Sequence, residues 1–351
     1  IAAEFLYEEA MYPEAEYAFK HPLTQEVAYR SQLAESRAHV HAAVARVMEE
    51  LYADKLDQRA ALLAHHREGA GELLPAARWS RRAAEWTGAS DPAEARRHWR
   101  KARALLQSIA ESEETRALGL AACTALLNLG WRLGIGAEEA AVLYADGKAL
   151  AEQSRDVYAT ALLVSAHGAV QAGAGDLEHA HAHNIEALQL AERTDDEGLK
   201  LALRNRLVLT HLSIGHLREV LAFADHALAS ASEEPARSVE LLGYNPYTNF
   251  IRLRGLVLAE FGRLAEAARD LDRALELARE QGDEELVIWT HLAEVLLAER
   301  YGDAPGALAH ARQAVELAER IGTPYPRAQA FCALGAAHLL ARDWNAAAAA
   351  L

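Results

Sequence analysis

The sequence predicts an all-α protein, a right-handed solenoid of helix pairs, on three observations. Turn positions recur in the second half of the chain at Gly175, Gly215, Gly262, Gly302 and Arg342, in steps of 40, 47, 40 and 40 residues. Small residues flank these turns at fixed distances, which indicates closely packed helix pairs. The composition also suits helices, since hydrophobic residues make up 51% of the chain and aromatic residues only 7%.

The flanking pattern is clearest around the turn at Gly262. A small residue precedes it at Gly255, and Ala267, Leu271 and Ala274 follow it. The same register returns, strongly or weakly, at Gly168, Ala180, Asn184 and Ala187, at Gly335, Ala347 and Leu351, at Val220, Ala224 and Ala227, and at Ala307, Ala311 and Ala314. It resembles the tetratricopeptide (TPR) pattern, in which a small residue of helix A faces an alanine of helix B. The repeat exceeds the usual length of about 34 residues, so each helix should carry roughly one extra turn.

The period predicts the domain organisation. We expect TPR-like repeats over residues 113–351, stacked into a solenoid with a concave face. Residues 36–112 are expected to form linking helices and the first helical repeats. The step of 47 residues reflects an insertion within residues 233–250, where prolines, glycine and asparagine interrupt the helical pattern.

Residues 1–35 do not follow this period. Two short strand-like runs, FLY at 5–7 and YAF at 17–19, precede a helical pattern in TQEVAYRSQL at 24–33. Two strands forming a wing, followed by a helix, predict the end of a winged-helix domain.

Three stretches carry a resemblance to a known family: YAFKHPLTQEVAYRSQL (17–33), RAHVHAAVARVMEEL (37–51) and LLAHHREGAGELLPAARWSRRAAEW (62–86). They resemble large bacterial proteins that join a class III adenylate/guanylate cyclase domain, a STAND-type signal-transduction ATPase and TPR-like repeats. The resemblance implies that this chain is the C-terminal part of such an ATP-binding parent. It also implies that the parent's own ATPase and cyclase domains are partners of the chain.

Catalytic motifs of that parent are absent from the chain. A phosphate-binding loop of the form G-x-x-x-x-G-K-[ST] does not occur, and Gly147-Lys148 lacks both the upstream glycine and the hydroxyl residue. Paired cyclase aspartates are not identifiable either. We therefore expect no enzyme activity and no cofactor in this chain, and a sensor role that regulates a cyclase output. A LuxR-like STAND transcriptional regulator and a pure structural scaffold are the alternatives.

Charge and cysteine content restrict the partners and the compartment. The formal net charge of −15 disfavours nucleic acid and anionic membranes. Cys123 and Cys332 are the two cysteines of the sequence, which favours a reducing compartment. No apolar run approaches the length of about 18 residues that a membrane helix needs. These features predict a cytoplasmic location.

The insertion supplies the best candidate for a ligand site. Tyr244, Asn245, Tyr247, Asn249 and Arg252 combine aromatic rings with hydrogen-bonding groups, as concave solenoid surfaces do when they hold a protein or a small-molecule effector. We expect these residues to face a groove for such an effector. The alternative is an inserted loop whose aromatic side chains fill the gap between repeats.

Basic residues concentrate in residues 78–103, against the overall negative charge. Docking onto the parent's ATPase module is predicted for six arginines: Arg78, Arg81, Arg82, Arg96, Arg97 and Arg100. A solvated face with core tryptophans is the simpler interpretation, and single-stranded nucleic acid is a third one.

Histidines provide two further hypotheses. His21 lies in KHPL, which is similar to a motif of nucleotide-switch ATPases in which a histidine contacts the bound phosphates, so it would sense the nucleotide state in the intact parent. Capping a helix or packing under the wing is the alternative. His179 and His183 have the i, i+4 spacing of metal ligands, but a third ligand is lacking, and no metal site is predicted.

Overall fold

The computed structural model describes residues 6–10, 16–88, 90–230 and 236–351. The chain divides into two compact units, residues 1–111 and 112–351, and each is described by itself.

The first unit begins with a hairpin and continues with helices. Strand β1 (Leu6–Ala10) pairs antiparallel with β2 (Glu16–Phe19), so both strand-like runs of the sequence contribute to strands, although Phe5 of the first run lies outside the described residues. Five helices follow: α1 (Pro22–Ser31), α2 (Ala34–Leu51), α3 (Leu56–Gly69), α4 (Leu73–Thr87) and α5 (Pro92–Leu106). Consecutive helices from α2 to α5 pack against each other. The assignment of the hairpin to a winged-helix domain stays a prediction.

The second unit is built from pairs of antiparallel helices. Each pair has a first helix, here called the A helix, and a second one, the B helix. The A helices are α6 (Glu113–Leu133), α8 (Val157–Gly173), α10 (Glu197–Ser213), α13 (Pro246–Glu260), α15 (Glu284–Tyr301) and α17 (Pro324–Leu340). The B helices are α7 (Ala137–Ser154), α9 (Leu177–Ala191), α11 (Leu217–Ser230), α14 (Leu264–Glu280), α16 (Ala304–Ile321) and α18 (Trp344–Ala350). The short α12 (Ala236–Leu242) stands outside this alternation.

Small residues bring each A helix close to its B helix, as the register predicts. A methyl group on Gly255 would lie 2.9 Å from Leu271 Cγ and 3.2 Å from the backbone oxygen of Ala267. A methyl group on Gly168 would likewise lie 3.3 Å from the backbone oxygen of Ala180. The alanines of the register are fully buried in the strong and in the weak copies. The predicted register is therefore confirmed.

The turns between A and B helices use a left-handed backbone conformation. Gly175, Gly215, Gly262 and Gly302 have φ angles of 84°, 81°, 76° and 72°. Arg342 adopts φ of 58° at the equivalent position, although it carries a side chain. Glycine is favoured there because a Cβ atom disfavours positive φ. All five turn positions that the sequence predicted have this conformation.

The insertion forms α12 and the start of α13. Helix α12 packs against α10, and the side chain of Asn245 caps α13 by accepting hydrogen bonds from the backbone of Tyr247 (2.9 Å) and Thr248 (3.4 Å). The insertion is therefore an ordered part of the repeat array where the structure describes it.

Histidines lie between A and B helices at several levels. His291 on α15 is buried, and its Nδ1 lies 3.0 Å from Nδ1 of His310 on α16. Burial, the neighbouring His310 and Arg279 lower the pKa of His291 to about 4. Nearby, burial raises the pKa of Glu294 to about 7.

None of the helices in the described ranges is both long enough and apolar enough to cross a bilayer.

Gly255→Ala should lower the free energy of unfolding by about 1–3 kcal/mol, because the added methyl group meets a backbone oxygen that cannot easily move. Gly173→Ala is the matched control, since that helical glycine is exposed and has no atom within 4 Å of the added carbon. The control should be neutral or stabilising by up to about 1 kcal/mol. Urea denaturation measures both changes, and equal stability of the two variants would contradict the close helix contact.

The low pKa of His291 predicts a pH dependence of stability. An unfolded histidine titrates near 6.5, so between about pH 6.5 and 4 the unfolded chain binds a proton that the folded chain refuses. The contribution of His291 therefore makes the free energy of unfolding fall as the pH drops through this window. Urea denaturation at a series of pH values should show that the free energy of unfolding falls less steeply for His291→Gln than for the unmodified protein. Glu294 contributes with the opposite sign in both proteins.

Candidate functional site

Polar and aromatic side chains from five A helices of the second unit meet in one connected cluster. We call this group the inner polar cluster. Its members are Asn128, Trp131 and Arg132 from α6, Asn205 and Arg206 from α10, Tyr244 beside α13, Asn249 and Arg252 from α13, Glu285 and Trp289 from α15, and Tyr325 and Gln329 from α17.

A buried chain of hydrogen bonds forms the centre of the cluster. Arg252 Nε donates to Asn249 Oδ1 (2.9 Å), and Asn249 Nδ2 donates to Asn205 Oδ1 (3.1 Å). The hydroxyl of Tyr244 donates to the same Asn205 oxygen (2.9 Å). Asn205 and Asn249 are fully buried, and only 9% of Arg252 is exposed. The arrangement holds two helices, α10 and α13, in one fixed relation.

Aromatic rings connect this centre to the solvent-exposed edge of the cluster. The guanidinium of Arg252 lies 5.9 Å from the ring centre of Trp289, and the ring of Tyr244 meets Trp289 edge-on at 5.2 Å. Trp289 Nε1 donates to Gln329 Oε1 (3.1 Å), and Gln329 Nε2 donates to the hydroxyl of Tyr325 (3.2 Å). Tyr325 is 37% exposed. The cluster is therefore accessible from this side.

Helix α6 closes the cluster across one turn of the superhelix. Arg132 Nη2 donates to Glu285 Oε2 at 3.0 Å, and Trp131 packs edge-on against Tyr325 at 5.2 Å. Arg206 Nη2 donates to Asn128 Oδ1 at 3.3 Å. These contacts join residues that lie up to two hundred positions apart in the sequence. The A helices thus surround the cluster on several sides.

Electrostatically, the cluster contains more guanidinium groups than ionised carboxylates to pair with them. Burial lowers the pKa of Arg252 to about 10 and also lowers the pKa of Arg206. Arginine side chains are not deprotonated in proteins at neutral pH, so both guanidinium groups are charged. Glu285 pairs with Arg132, and burial raises the pKa of Glu285. Among the described residues, no carboxylate forms an ion pair with Arg206 or Arg252.

The five predicted groove residues separate into two groups. Tyr244, Asn249 and Arg252 belong to the cluster, largely buried rather than lining an open groove. Asn245 caps α13, and Tyr247 packs with the apolar residues Ile251, Ala274 and Leu277, four positions along the helix and on the adjacent B helix. That Tyr247 faces the groove stays a prediction. Binding of a ligand by the other residues stays a prediction.

Sequence reasoning did not identify most cluster members, yet the repeat register carries a signal for them. Asn249, Trp289 and Gln329 each stand 13 residues before their turn positions, Gly262, Gly302 and Arg342. In the same frame Glu285 and Tyr325 stand 17 residues before the turn, and Asn205 and Arg252 stand 10 before it. Spacings of four and three residues place these positions on one face of the A helix. That face points to the interior of the solenoid.

The predicted docking arginines lie on α4 and α5. Arg81 pairs with Glu85 at 2.8 Å, Arg82 pairs with Asp57, and Arg97 pairs with Glu94. Arg78 and Arg100 are exposed, and Arg96 is partly exposed. Of the tryptophans in this segment, Trp99 is buried, Trp79 is partly buried and Trp86 is exposed. Local ion pairs thus account for part of the basic character, and docking stays a prediction.

The structure shows the surroundings of the histidines for which the sequence suggested a role. His21 occupies the N-cap position of α1 with an exposed side chain that forms no capping hydrogen bond. His179 Nδ1 lies 2.9 Å from Asp176, and His183 Nδ1 lies 3.0 Å from the backbone oxygen of His179. Within the described ranges, no group of three or more histidine, cysteine, aspartate or glutamate residues could hold a metal ion.

Comparison with known proteins identifies the fold. No protein-family model and no curated protein matches the chain. Among solved structures, a Rap protein complexed with Competence and Sporulation Factor matches with a TM-score of 0.62 and 13% identity, over 93% of this chain and 95% of that one. The Rap conjugation gene regulator of plasmid pLS20, in complex with the Phr* peptide, matches with a TM-score of 0.52 and 16% identity over 81% and 78%. The chain therefore has a TPR-like helical repeat fold, as the sequence predicted.

A third match is a STAND protein with a tetratricopeptide repeat sensor from Pyrococcus horikoshii. Its TM-score is 0.47 at 13% identity, over 96% of this chain and 55% of that one.

Asn205→Leu should lower the free energy of unfolding by at least about 2 kcal/mol. The substitution leaves the buried Tyr244 hydroxyl and Asn249 amide without an acceptor, and each buried group left unpaired costs about 1–3 kcal/mol. Asn128→Leu is the control, because it removes one hydrogen bond at a partly exposed site and should cost less than about 1 kcal/mol. Urea denaturation that gave both variants the same stability would contradict the central role of Asn205.

Proposed function

We propose that the chain is the non-catalytic sensor module of a multidomain signalling ATPase, and that its second unit binds a peptide at the inner polar cluster. One observation carries the proposal: side chains of five A helices converge on a single cluster that runs from a buried centre to an exposed edge. A scaffold without a ligand needs no such convergence, because apolar contacts alone can stack its repeats.

The chemistry of the cluster suits a peptide. An extended peptide presents backbone N–H and C=O groups that require partners, and asparagine and glutamine side chains offer both a donor and an acceptor. Trp289 and Tyr325 supply flat apolar surface for the peptide's side chains. The two Rap structures hold Competence and Sporulation Factor in one case and the Phr* peptide in the other. Their similarity supports the fold, and the ligand class is our proposal for this chain.

Regulation follows from where a peptide would bind. Its contacts would bridge α6 to α15 and α17 across the superhelical turn, so binding would favour one closure of the solenoid over others. A ligand shifts a conformational equilibrium only by its differential affinity for the two states, and these bridging contacts supply that difference.

From the resemblance at residues 17–86 we propose that the parent contains a STAND-type ATPase module and has a nucleotide cyclase as its output. In that parent we propose His21 as the residue that reports the nucleotide state. The six arginines of α4 and α5 are proposed to dock onto the parent's own domains.

The proposal predicts that the purified chain selects peptides from a random hexapeptide library in affinity selection with mass spectrometry. A selected peptide at 100 times its Kd should raise the free energy of unfolding by about 2.7 kcal/mol. The double variant Tyr325→Ala and Gln329→Ala should lose this binding while it keeps its fold, since both residues lie at the accessible edge of the cluster. Tyr301→Ala is the matched control, because that tyrosine is 56% exposed and lies outside the cluster. Recovery of no peptide would overturn the proposal, as would equal recovery by the double variant.

A further inference from the structure

The guanidinium groups of Arg206 and Arg252 lie in the inner polar cluster, and among the described residues neither has a negative partner. Arg252 is about nine-tenths buried, and its one hydrogen bond in the described chain goes from Nε to a neutral amide oxygen. Arg206 is partly buried, and its bond likewise goes to a neutral amide, that of Asn128. Guanidinium groups are always charged near neutral pH, and burying an unpaired charge is costly.

In the part of the chain that the structure describes, no neighbouring group supplies the missing charge. Glu285 is already paired with Arg132. Tyr244 interacts electrostatically with Arg132, Arg206 and Arg252, but burial raises the pKa of its phenol, which therefore stays neutral. Burial also raises the pKa of Tyr325. The cluster thus keeps excess positive charge in a chain whose net charge is −15.

The hydrogen-bond chain leads to the same conclusion independently. Arginine can only donate, so Asn249 must turn its oxygen towards Arg252 and its amide nitrogen towards Asn205. Asn205 must then accept with its oxygen, and its own Nδ2 is buried without an acceptor among the described residues. The cluster therefore has an excess of hydrogen-bond donors as well as of positive charge.

We propose that the inner polar cluster recognises an acidic peptide, whose carboxylate binds between Arg206 and Arg252. This inference rests on the proposed function and specifies its ligand. A carboxylate offers two oxygens that accept several hydrogen bonds, which matches the planar donor pattern of a guanidinium. The carboxylate comes either from an aspartate or glutamate side chain or from the C-terminus of the peptide.

The experiment compares matched hexapeptide sets at constant ionic strength. In the first series, a glutamate is fixed at each peptide position in turn. In the second series, a glutamine takes its place. Each series is made once with a free C-terminus and once with an amidated C-terminus. Thermal shift gives the apparent Kd. With the unmodified protein, at least one acidic form should bind about tenfold more tightly than its neutral counterpart, either glutamate over glutamine or free over amidated C-terminus. A preference for glutamate over glutamine identifies a side-chain carboxylate, and a preference for the free over the amidated C-terminus identifies the terminal carboxylate.

Two variants test the role of the arginine. In Arg252→Gln, the ratio of the apparent Kd values for the neutral and the acidic form should fall close to one. Without peptide, this variant should melt no lower than the unmodified protein, because the substitution removes an unpaired buried charge. Arg254→Gln is the matched control. It lies two residues further along α13 and pairs with Asp270 (2.7 Å) and Asp225 (3.3 Å), so its loss should leave the preference intact. If Arg252→Gln does not fold, Arg206→Gln carries the same test.

The outcomes separate this inference from the proposed function. Equal binding of acidic and neutral forms would overturn the carboxylate site and leave peptide binding standing. A preference that survives in Arg252→Gln and in Arg206→Gln would overturn the site as well. Binding by none of the peptide sets would overturn the proposed function. Stabilisation by inorganic phosphate alone, lost in Arg252→Gln, would then support an anion site and overturn the peptide as its ligand.

Discussion

The close contact between each A helix and its B helix is the constraint on which the rest of the structure depends. At Gly255 no side chain separates the helix from the backbone of Ala267 and the side chain of Leu271. Because the contact recurs in successive repeats, each A helix takes nearly the same relation to the next. Positions with the same distance to the turn therefore line up on the interior face. The side chains of the inner polar cluster lie on that face.

The charged and polar groups of the cluster cost stability on the interior face, and the same groups form the proposed ligand site. A solenoid core needs only apolar residues, and an apolar residue in place of Arg252 would avoid the burial of an unpaired charge. Retaining charged and donor-rich groups there lowers the stability of the fold, while under the proposed function the same groups provide affinity for the ligand. Binding sites commonly carry such a conflict between stability and function.

Local features of the repeat could be predicted from the sequence, and contacts across the superhelix could not. The turn at Gly262 and the burial of Ala267 follow from neighbours within one helix pair, which the sequence pattern records. The contacts of Arg132 with Glu285 and of Trp131 with Tyr325 depend on the curvature accumulated over several repeats. The surroundings of Tyr247 could not be predicted from its aromatic neighbours in the sequence either, since successive helical positions point in different directions.

The insertion before α13 completes the cluster. It interrupts the period of the repeat and brings Tyr244 to a point where its hydroxyl bonds Asn205 and its ring meets Trp289. The aromatic residue thus joins α10 to α15, two A helices that are not consecutive. The bond from Tyr244 also occupies the Asn205 oxygen together with Asn249, so only the donor side of Asn205 is left open. A spacer would lengthen the array without changing the donor balance of the interior. This segment changes it, and it does so in the same cluster as the two arginines that form no ion pair within the described ranges.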